Sequence, residues 1–214
     1  MSQRDGPRVP GSRRTVRIGI TGPIGCGKSQ VVQWLAELGV AIVDADAVAR
    51  GVTAPGNAVH DEVLRHFGPA VAAADGTLDR AALGRLVFAD PARLRELEAI
   101  VHPAVRQRIL DVLERAERDD AAAVAVEAIK LVEGGLAALC DEVWLVVCDP
   151  AAQRERLIGR GTATDDADQR IAAQAGLAGR LRPAATRVLD TSGSMAETRA
   201  AVVSALAEAI AATR

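Results

Sequence analysis

The sequence predicts an α/β fold built on a doubly wound, parallel sheet of five strands, and two observations support this prediction. Short apolar runs recur along the chain, and segments with apolar residues at helical spacing separate them. Runs that are apolar on both faces are typical of parallel strands covered by helices on both sides. The predicted strands are residues 16–20, 40–43, 123–126, 143–147 and 188–189. In such a sheet, ligands bind at the carboxyl ends of the strands.

The second observation is the segment GPIGCGKS, residues 22–29, which directly follows the first predicted strand. It fits the glycine-rich pattern whose backbone N–H groups cradle the phosphates of a nucleotide. A helical pattern follows it, so the positive end of a helix dipole adds to the same anion site. Lys28 is expected to reach the outer phosphates, and the Ser29 hydroxyl to ligate Mg²⁺. The predicted nucleotide-binding residues of this loop are Gly22, Pro23, Ile24, Gly25, Cys26, Gly27, Lys28, Ser29 and Gln30.

The composition argues against nucleic acid and a membrane as binding partners. The chain of 214 residues is 49% hydrophobic and carries a net charge of −2, which leaves no electrostatic footprint for nucleic acid. No apolar run approaches the length of a membrane span. Residues 1–14 contain four arginines and one aspartate without an apolar stretch, so a disordered tail rather than a signal segment is predicted.

The cysteine content predicts a reducing compartment. The three cysteines, Cys26, Cys140 and Cys148, are odd in number and lack the spacing of a metal site. Cys26 is interpreted as a small residue at a permissive position of the loop, although the start of a helix can also activate a thiol. We therefore expect a cytoplasmic protein. Composition predicts neither a nucleic-acid nor a membrane partner, and a monomer is favoured among the open oligomeric states.

The segment between the second and third strands is too long for a single crossover helix. One helical pattern follows a turn at Asp75 and Gly76, and another opens with Asp90 as its N-cap and Pro91 at its first position. A further helix is expected to begin near Pro103. We predict a helical substrate-binding subdomain at residues 50–119, inserted into a nucleotide-binding core of residues 15–49, 120–148 and 183–214.

A helical lid is predicted at residues 149–182. The stretch from Asp149 to Arg187, with Arg187 included, contains seven arginines, whereas the whole chain has two lysines, Lys28 and Lys130. The arginine fork suits phosphate oxygens, and a closing lid is expected beside a phosphate site. For any single arginine, a solvated helical face remains the alternative.

The sequence argues against two other classes of phosphate-loop protein, the GTPases and the large mechanical ATPases. Guanine-binding proteins of this superclass carry an Asn-Lys-X-Asp element, but the one asparagine, Asn57, precedes Ala58. A large mechanical ATPase would need a second domain for which there is no room. Small-molecule phosphoryl transfer remains, and it needs an acceptor site, a group that deprotonates the acceptor, and a lid that excludes water.

Asp44 and Asp46 supply candidate carboxylates at the end of the second strand. If that strand is still extended there, residues two apart lie on one face. One carboxylate would then take the acceptor proton, while the other interacts with the magnesium shell or fixes the local backbone. For one of the two, capping of a helix that starts near Ala47 is the alternative.

Six segments of the chain form a recognisable set: GITGPIGCGKS, VDADAVAR, FGPAVAAADGTLDRAALGRLVF, IVHPAVRQR, VEGGL and RERLIGR. Together they resemble the dephospho-CoA kinase family, in the same order and at matching intervals over residues 16 to about 193. The phosphate loop is shared with many kinases, whereas the combination of DAD-xx-AR, DG-x-LDR and HP is specific to this family. The resemblance implies that ATP, with Mg²⁺, phosphorylates the ribose 3′-hydroxyl of dephospho-CoA, an alcohol acceptor, to give CoA and ADP.

The resemblance also implies residue roles. Asp46 matches the catalytic base, Lys28 the phosphate-loop lysine and Ser29 the Mg²⁺-ligating hydroxyl. Arg156 matches the lid arginine that contacts ATP phosphate. His102, before a proline, has helix capping as its alternative. The expected substrate-binding residues are Asp44, Arg50, Arg80, His102, Arg106 and Glu133.

Two departures from the family pattern affect the expected contacts. The segment EAIKLVEGG is one residue shorter than usual, and Lys130 either replaces a lost contact or pairs with Glu127 or Glu133. The usual Asn-x-Gly after the fifth strand is Thr191-Ser192-Gly193 here. Adenine contacts at Ser192 and Gly193 would therefore use the backbone.

Two alternatives stay open from the sequence. One is a kinase of the same fold with another nucleoside or nucleotide as acceptor. The other is a nucleotide-binding protein whose transfer activity has decayed.

Overall fold

The structure is a computed structural model that describes residues 14–213. The tail predicted as disordered lies outside the described residues except for Arg14. The Arg14 guanidinium forms an ion pair with Asp141, which directly precedes the fourth strand.

The five predicted strands form one sheet. Their order is β2-β3-β1-β4-β5, and the pairs β1 with β3, β1 with β4, and β4 with β5 are parallel. In the register of the central strand, Ile18 lies opposite Ala125 on one side and Glu142 on the other. The predicted α/β fold with a parallel sheet is confirmed. The strands are β1 Val16–Thr21, β2 Ala41–Asp44, β3 Ala123–Glu127, β4 Glu142–Val147 and β5 Arg187–Asp190.

Along the chain, α-helices follow β1, β2, β4 and β5, and a 3₁₀ turn follows β3. Short 3₁₀ turns occupy Pro69–Val71, Leu136–Leu139 and Arg182–Ala184. No helix within residues 14–213 is both long enough and apolar enough to cross a membrane. The α-helices are α1 Lys28–Glu37, α2 Ala45–Val52, α3 Ala58–Phe67, α4 Arg80–Phe88, α5 Pro91–Arg118, α6 Pro150–Gly159, α7 Thr164–Ala173, α8 Leu177–Leu181 and α9 Met195–Ala212.

The structure divides into two compact units. The sheet unit comprises residues 14–42 and 113–213, and the helical unit comprises Val43–Val112. In the sheet unit, buried residues of the central strands pack with α1 and α9 in one core that includes Ile20, Leu35 and Leu206. Burying apolar area stabilises a fold by about 25 cal/mol per Å². Because this core includes residues of β1 and α1, it fixes the two elements that flank the loop between them.

The helical unit has its own core. Val63 and Phe67 of α3 pack with Leu83 and Val87 of α4, and Leu97 of α5 adds to the same cluster. The N-cap of α4, Asp79, accepts hydrogen bonds from the backbone N–H groups of two residues in its first turn. Capping of this kind stabilises a helix by about 1 kcal/mol.

One continuous helix, α5, replaces the two helices predicted around Pro103. The predicted N-cap is confirmed, since Asp90 accepts a hydrogen bond from Ala92 N–H at 2.8 Å. The predicted break at Pro103 is wrong. An interior proline costs about 3 kcal/mol, but packing on both sides of it supports a continuous helix. Ile109 after it is buried, and Leu97 before it is partly buried against the core of the helical unit.

Candidate active site

The predicted phosphate loop lies between β1 and α1, where the sheet ends and the helix begins. Gly22 has φ 146°, and a Cβ on it would lie 2.1 Å from the carbonyl oxygen of Val146. Only glycine fits this close approach to β4. Gly27 is the N-cap of α1 with φ 83°, in the left-handed region. The positive end of the α1 dipole therefore lies at the end of the loop, where it favours a bound anion.

Lys28 and Ser29 begin α1. Lys28 Nζ donates to Gly22 O at 2.7 Å and to Pro23 O at 3.0 Å, so the ammonium lies over the start of the loop. The Ser29 side chain is exposed in the first helical turn. Gln30 follows, and its side chain hydrogen-bonds to Gln33 one turn later at 3.4 Å. A cation over the loop and an exposed hydroxyl beside it suit a nucleotide phosphate and its metal ion.

Two glutamines from the predicted lid hold the peptide groups of Ile24. Ile24 N–H donates to Gln174 Oε1 at 2.7 Å, and Gln153 Nε2 donates to Ile24 O at 2.6 Å. Gln153 belongs to α6 and is 7% exposed, while Gln174 follows α7. Sequence reasoning missed both glutamines. Neither lies in a motif, and 150 residues separate Gln174 from the residue that it holds.

Arg156 of α6 lies beside the loop, since a Cβ on Gly27 would be 3.6 Å from Arg156 Nη1. The half-buried guanidinium donates to Thr191 Oγ1 at 2.9 Å and to Thr191 O at 2.5 Å. Thr191 Oγ1 in turn donates to Cys26 O at 2.8 Å. Arg156, the segment after β5 and the phosphate loop therefore form one hydrogen-bond network.

The residues after β5 are fixed by polar contacts. Ser192 Oγ accepts from Asp149 N–H, and Ser192 N–H donates to Asp190 Oδ1, both at 2.8 Å. Hydrogen bonds from the side chain and backbone of Ser192 lower the pKa of Asp190. Gly193 lies next to the N-cap Ser194, which forms a capping box with Glu197. The backbone at Ser192 and Gly193 is thus held in one conformation.

A disulfide joins Cys26 of the phosphate loop to Cys148, the first residue after β4. Their Cα atoms are 5.1 Å apart. The sequence-based interpretation of Cys26 as no more than a small residue, among cysteines that are all reduced, is therefore wrong. Its failure has a plain reason, because 122 residues separate the two cysteines and no local pattern connects them.

Asp44 and Asp46 do not share an extended strand. β2 ends at Asp44, which is the N-cap of α2 and accepts from Ala47 N–H at 2.9 Å. Asp46 lies in the first turn of that helix with an exposed side chain. The expectation that both carboxylates lie on one strand face is wrong, and the helix-cap alternative holds for Asp44. No hydrogen bond or ion pair to the Asp46 carboxylate is present within residues 14–213.

Two of the expected substrate-binding arginines lie together with Asp44 in the helical unit. Arg50 Nη2 is 3.6 Å from Asp44 Oδ2. Arg80 Nη2, from the first residue of α4, donates to Arg50 O at 3.2 Å and to Thr53 Oγ1 at 3.1 Å. Arg50 and Arg80 are exposed. Arg50 therefore pairs with the N-cap of α2, and Arg80 bonds to the last turn of the same helix. We call Asp44, Arg50 and Arg80 the acceptor cluster, after the role that the sequence predicts for them.

The remaining expected substrate-binding residues lie apart from this cluster in the sequence and on other elements. His102 and Arg106 are exposed and one turn apart on α5, so they lie on the same face of that helix. His102 lies inside the helix, which rules out the capping role. Glu133 is exposed in the turns after β3, in the sheet unit.

Comparison with known proteins places these features in a family. The family model for dephospho-CoA kinase matches residues 16–197. A dephospho-CoA kinase of Symbiobacterium thermophilum is 47% identical over 189 residues, which cover 88% of this chain and 79% of that protein. One from Geobacter metallireducens is 41% identical over 194 residues, covering 90% of this chain and 96% of the relative.

Solved structures agree in fold. The crystal structure of TT1252 from Thermus thermophilus superposes with a TM-score of 0.77 at 36% identity, covering 92% of this chain and 98% of that one. Dephospho-CoA kinase from Campylobacter jejuni gives a TM-score of 0.68 at 22% identity, with the same coverage of 92% and 98%, and this match shows the fold alone. The chain, with its complete phosphate loop and its match over residues 16–197, belongs to the dephospho-CoA kinase family.

Proposed function

We propose that this protein is a dephospho-CoA kinase, which transfers the γ-phosphoryl group of ATP to the ribose 3′-hydroxyl of dephospho-CoA and releases CoA and ADP. The observation that carries the proposal is the phosphate loop, complete in sequence and held from the lid by Gln153 and Gln174, in a chain of this family. ATP supplies the phosphoryl group, and Mg²⁺ neutralises charge on its phosphates.

The sheet unit is proposed to hold ATP. The N–H groups at the start of α1 bind phosphate oxygens, and Lys28 moves its ammonium from the loop carbonyls to the outer phosphates. Ser29, which is exposed, would hold Mg²⁺ through its hydroxyl. Arg156, already beside Gly27, adds a fixed positive charge where negative charge gathers during transfer. The backbone of Ser192 and Gly193 contacts the adenine.

The helical unit is proposed to bind the acceptor. Arg50, Arg80 and Arg106 are exposed cations suited to the phosphate groups of dephospho-CoA. Asp46 takes the proton of the 3′-hydroxyl as that oxygen bonds to the γ-phosphorus, while the bond to the bridging oxygen of ADP breaks. Its carboxylate suits this role because no protein group within residues 14–213 occupies it. We assign His102 and Glu133 to the same substrate.

The choice of acceptor is tested by coupled ADP release. Purified protein with ATP and Mg²⁺ should release ADP with dephospho-CoA, and at least tenfold more slowly, on the order of 1.4 kcal/mol in the barrier, with AMP, shikimate or pantothenate. The product should carry a new phosphomonoester, visible by ³¹P NMR. Preference for another acceptor would assign the same chemistry to a different substrate, and ATP binding without any turnover would indicate a decayed enzyme.

We also propose that the protein acts as a cytoplasmic monomer that requires Mg²⁺. The net charge of −2 favours a small-molecule partner over nucleic acid. Light scattering on the eluting protein should give a mass near 22.3 kDa. A mass of twice that value would overturn the monomer, and activity that survives complete chelation of divalent ions would overturn the metal requirement.

A further inference from the structure

We propose that the Cys26–Cys148 pair is a reversible redox modification site, whose disulfide form holds the phosphate loop in its ATP-binding conformation. The dithiol form would hold the same loop less firmly and bind ATP more weakly. This inference rests on the proposed use of ATP, and not on the identity of the acceptor.

The backbone positions suit a disulfide. The Cα atoms of Cys26 and Cys148 are 5.1 Å apart, within the range of about 4.4–6.8 Å that disulfides span. Cys148 follows β4 directly, so the partner of the loop cysteine is attached to a central strand of the sheet. The bond therefore forms between a loop and a rigid element without requiring either to move.

The disulfide restricts the backbone of the phosphate loop. Cys26 lies between Gly25, with φ 76°, and Gly27, with φ 83°. Glycines on both sides give the unliganded loop many accessible backbone conformations, and ordering them costs free energy when ATP binds. A covalent tie at the residue between them removes part of that cost before binding.

The bond lies on the core side of the loop. Cys26 is 1% exposed and belongs to the same buried cluster as Val31 and Val146, and Cys148 packs against that cluster. The disulfide therefore lies among core residues and not on the open side of the loop. For this reason we expect oxidation to favour ATP binding, where a modification on the open side of the loop would block it.

The position of Cys26 also affects Arg156. Thr191 Oγ1 donates to Cys26 O at 2.8 Å while it accepts from Arg156 Nη1 at 2.9 Å. A loop that shifts at Cys26 therefore changes the group that orients the lid arginine. The disulfide fixes both the N–H groups and the arginine that the triphosphate needs.

The chemistry is ordinary thiol–disulfide exchange. Cys148 is partly exposed whereas Cys26 is 1% exposed, so we expect a small dithiol reductant to attack at Cys148. The reductant thiolate bonds to Cys148 Sγ, the bond to Cys26 Sγ breaks, and Cys26 leaves as a thiolate that takes up a proton. The second thiol of the reductant then displaces Cys148, giving two protein thiols and one cyclic disulfide. In the reverse direction, a small-molecule disulfide accepts the two electrons and leaves as two thiols.

The test compares oxidised and reduced full-length protein. After treatment with oxidised glutathione, the unfolded chain should show one titratable thiol, that of Cys140, and three after reduction with dithiothreitol. The dissociation constant of a non-hydrolysable ATP analogue, measured by calorimetry, should rise about 3- to 10-fold on reduction. The melting temperature should fall by about 5–15 °C, since a 122-residue loop loses its crosslink.

Variants separate this pair from other causes. Cys148→Ser should bind the analogue equally under both conditions, with an affinity like that of the reduced protein. Cys140→Ser is the matched control, because Cys140 lies outside the disulfide, and it should keep the full redox response. Equal affinity of the two wild-type forms, three thiols after oxidation, or a response that persists in Cys148→Ser would overturn the proposal. Because the readout is ATP binding, a wrong acceptor would leave this result intact.

Discussion

The phosphate loop and the acceptor cluster differ in how the protein holds them. The loop forms hydrogen bonds with α6, with the residue after α7 and with the segment after β5, and a disulfide with the residue after β4. The acceptor cluster consists of exposed side chains at the starts and ends of helices, with one ion pair at 3.6 Å and two hydrogen bonds from Arg80.

This difference follows from what each region is proposed to bind. A triphosphate is bound through backbone N–H groups, which must already point to one place, so the loop needs support before the ligand arrives. An extended acceptor is bound by side chains, and charged side chains can reorient on arrival at a moderate entropic cost. The loop of the sheet unit is therefore supported by many contacts, whereas the helical unit presents exposed charged side chains.

The largest expected effect concerns Asp46 of the helical unit, and it tests whether this exposed carboxylate is the base of the proposed reaction. Asp46→Asn removes the proposed base and keeps its shape. Turnover should fall by about two to four orders of magnitude, because a neutral amide cannot accept the proton. ATP affinity, measured by calorimetry, should not change, because the nucleotide is proposed to bind to the sheet unit.

Glu62→Gln is the matched control for Asp46→Asn, since it neutralises another exposed carboxylate of the helical unit. Its turnover should stay within twofold of the wild type, about 0.4 kcal/mol in the barrier. If Asp46→Asn also turned over at the normal rate, Asp46 would not be the base.

The second prediction tests the rigid region through Gly22. Gly22→Ala places a Cβ 2.1 Å from Val146 O, so the loop or β4 must shift. Because misplacement by about 1 Å can cost a hundredfold in rate, we expect kcat/KM for ATP to fall by about that factor. Gly39→Ala is the control, since Gly39 also has a positive φ, 84°, but has nothing within 4 Å of its added Cβ. Equal losses in the two variants would assign the effect to backbone strain alone.

Local patterns in the sequence predicted the strands and the phosphate loop of the sheet unit. They did not predict the distant residues that hold the loop in place. The glycine loop and the apolar strands are each encoded in a few consecutive residues, so β1 to β5 appear where they were expected. The break at Pro103 was wrongly predicted because packing on both sides of a proline is not visible locally. Gln174, Gln153 and the Cys148 partner of Cys26 act across more than 100 residues, where the sequence carries no periodic signal.

The third prediction concerns the two glutamines that hold Ile24. Gln153→Ala and Gln174→Ala each remove one hydrogen bond to the loop, and one such bond contributes about 0.5–1.5 kcal/mol. We expect KM for ATP to rise about 3- to 10-fold in steady-state assays, with a larger rise in the double variant. Gln169→Ala, an exposed glutamine on α7, is the control. An unchanged KM in the double variant would show that the lid contacts do not position the loop.

The smallest expected effect is on stability, and it compares one ion pair in the sheet unit with one in the helical unit. In the sheet unit, Glu142 accepts from Arg187 Nε at 2.9 Å and from Trp144 Nε1 at 2.6 Å. Burial acts to raise the pKa of Glu142, but the hydrogen bonds from Arg187 and Trp144 outweigh it and the pKa is lowered. In the helical unit, Glu96 meets His66 at 3.0 Å with both side chains about half exposed.

Glu142→Gln should therefore lower the free energy of unfolding by about 1–2 kcal/mol at pH 7 in urea titrations. A lowered pKa means that the ionised form stabilises the folded state above the ordinary pKa of 4.5, and that this contribution is lost as pH falls through the lower folded-state value. The gap between wild type and variant should close in that acid range. Glu96→Gln should change stability by less than about 0.5 kcal/mol at pH 7, and equal effects of the two variants would contradict the contrast between a supported and an exposed unit.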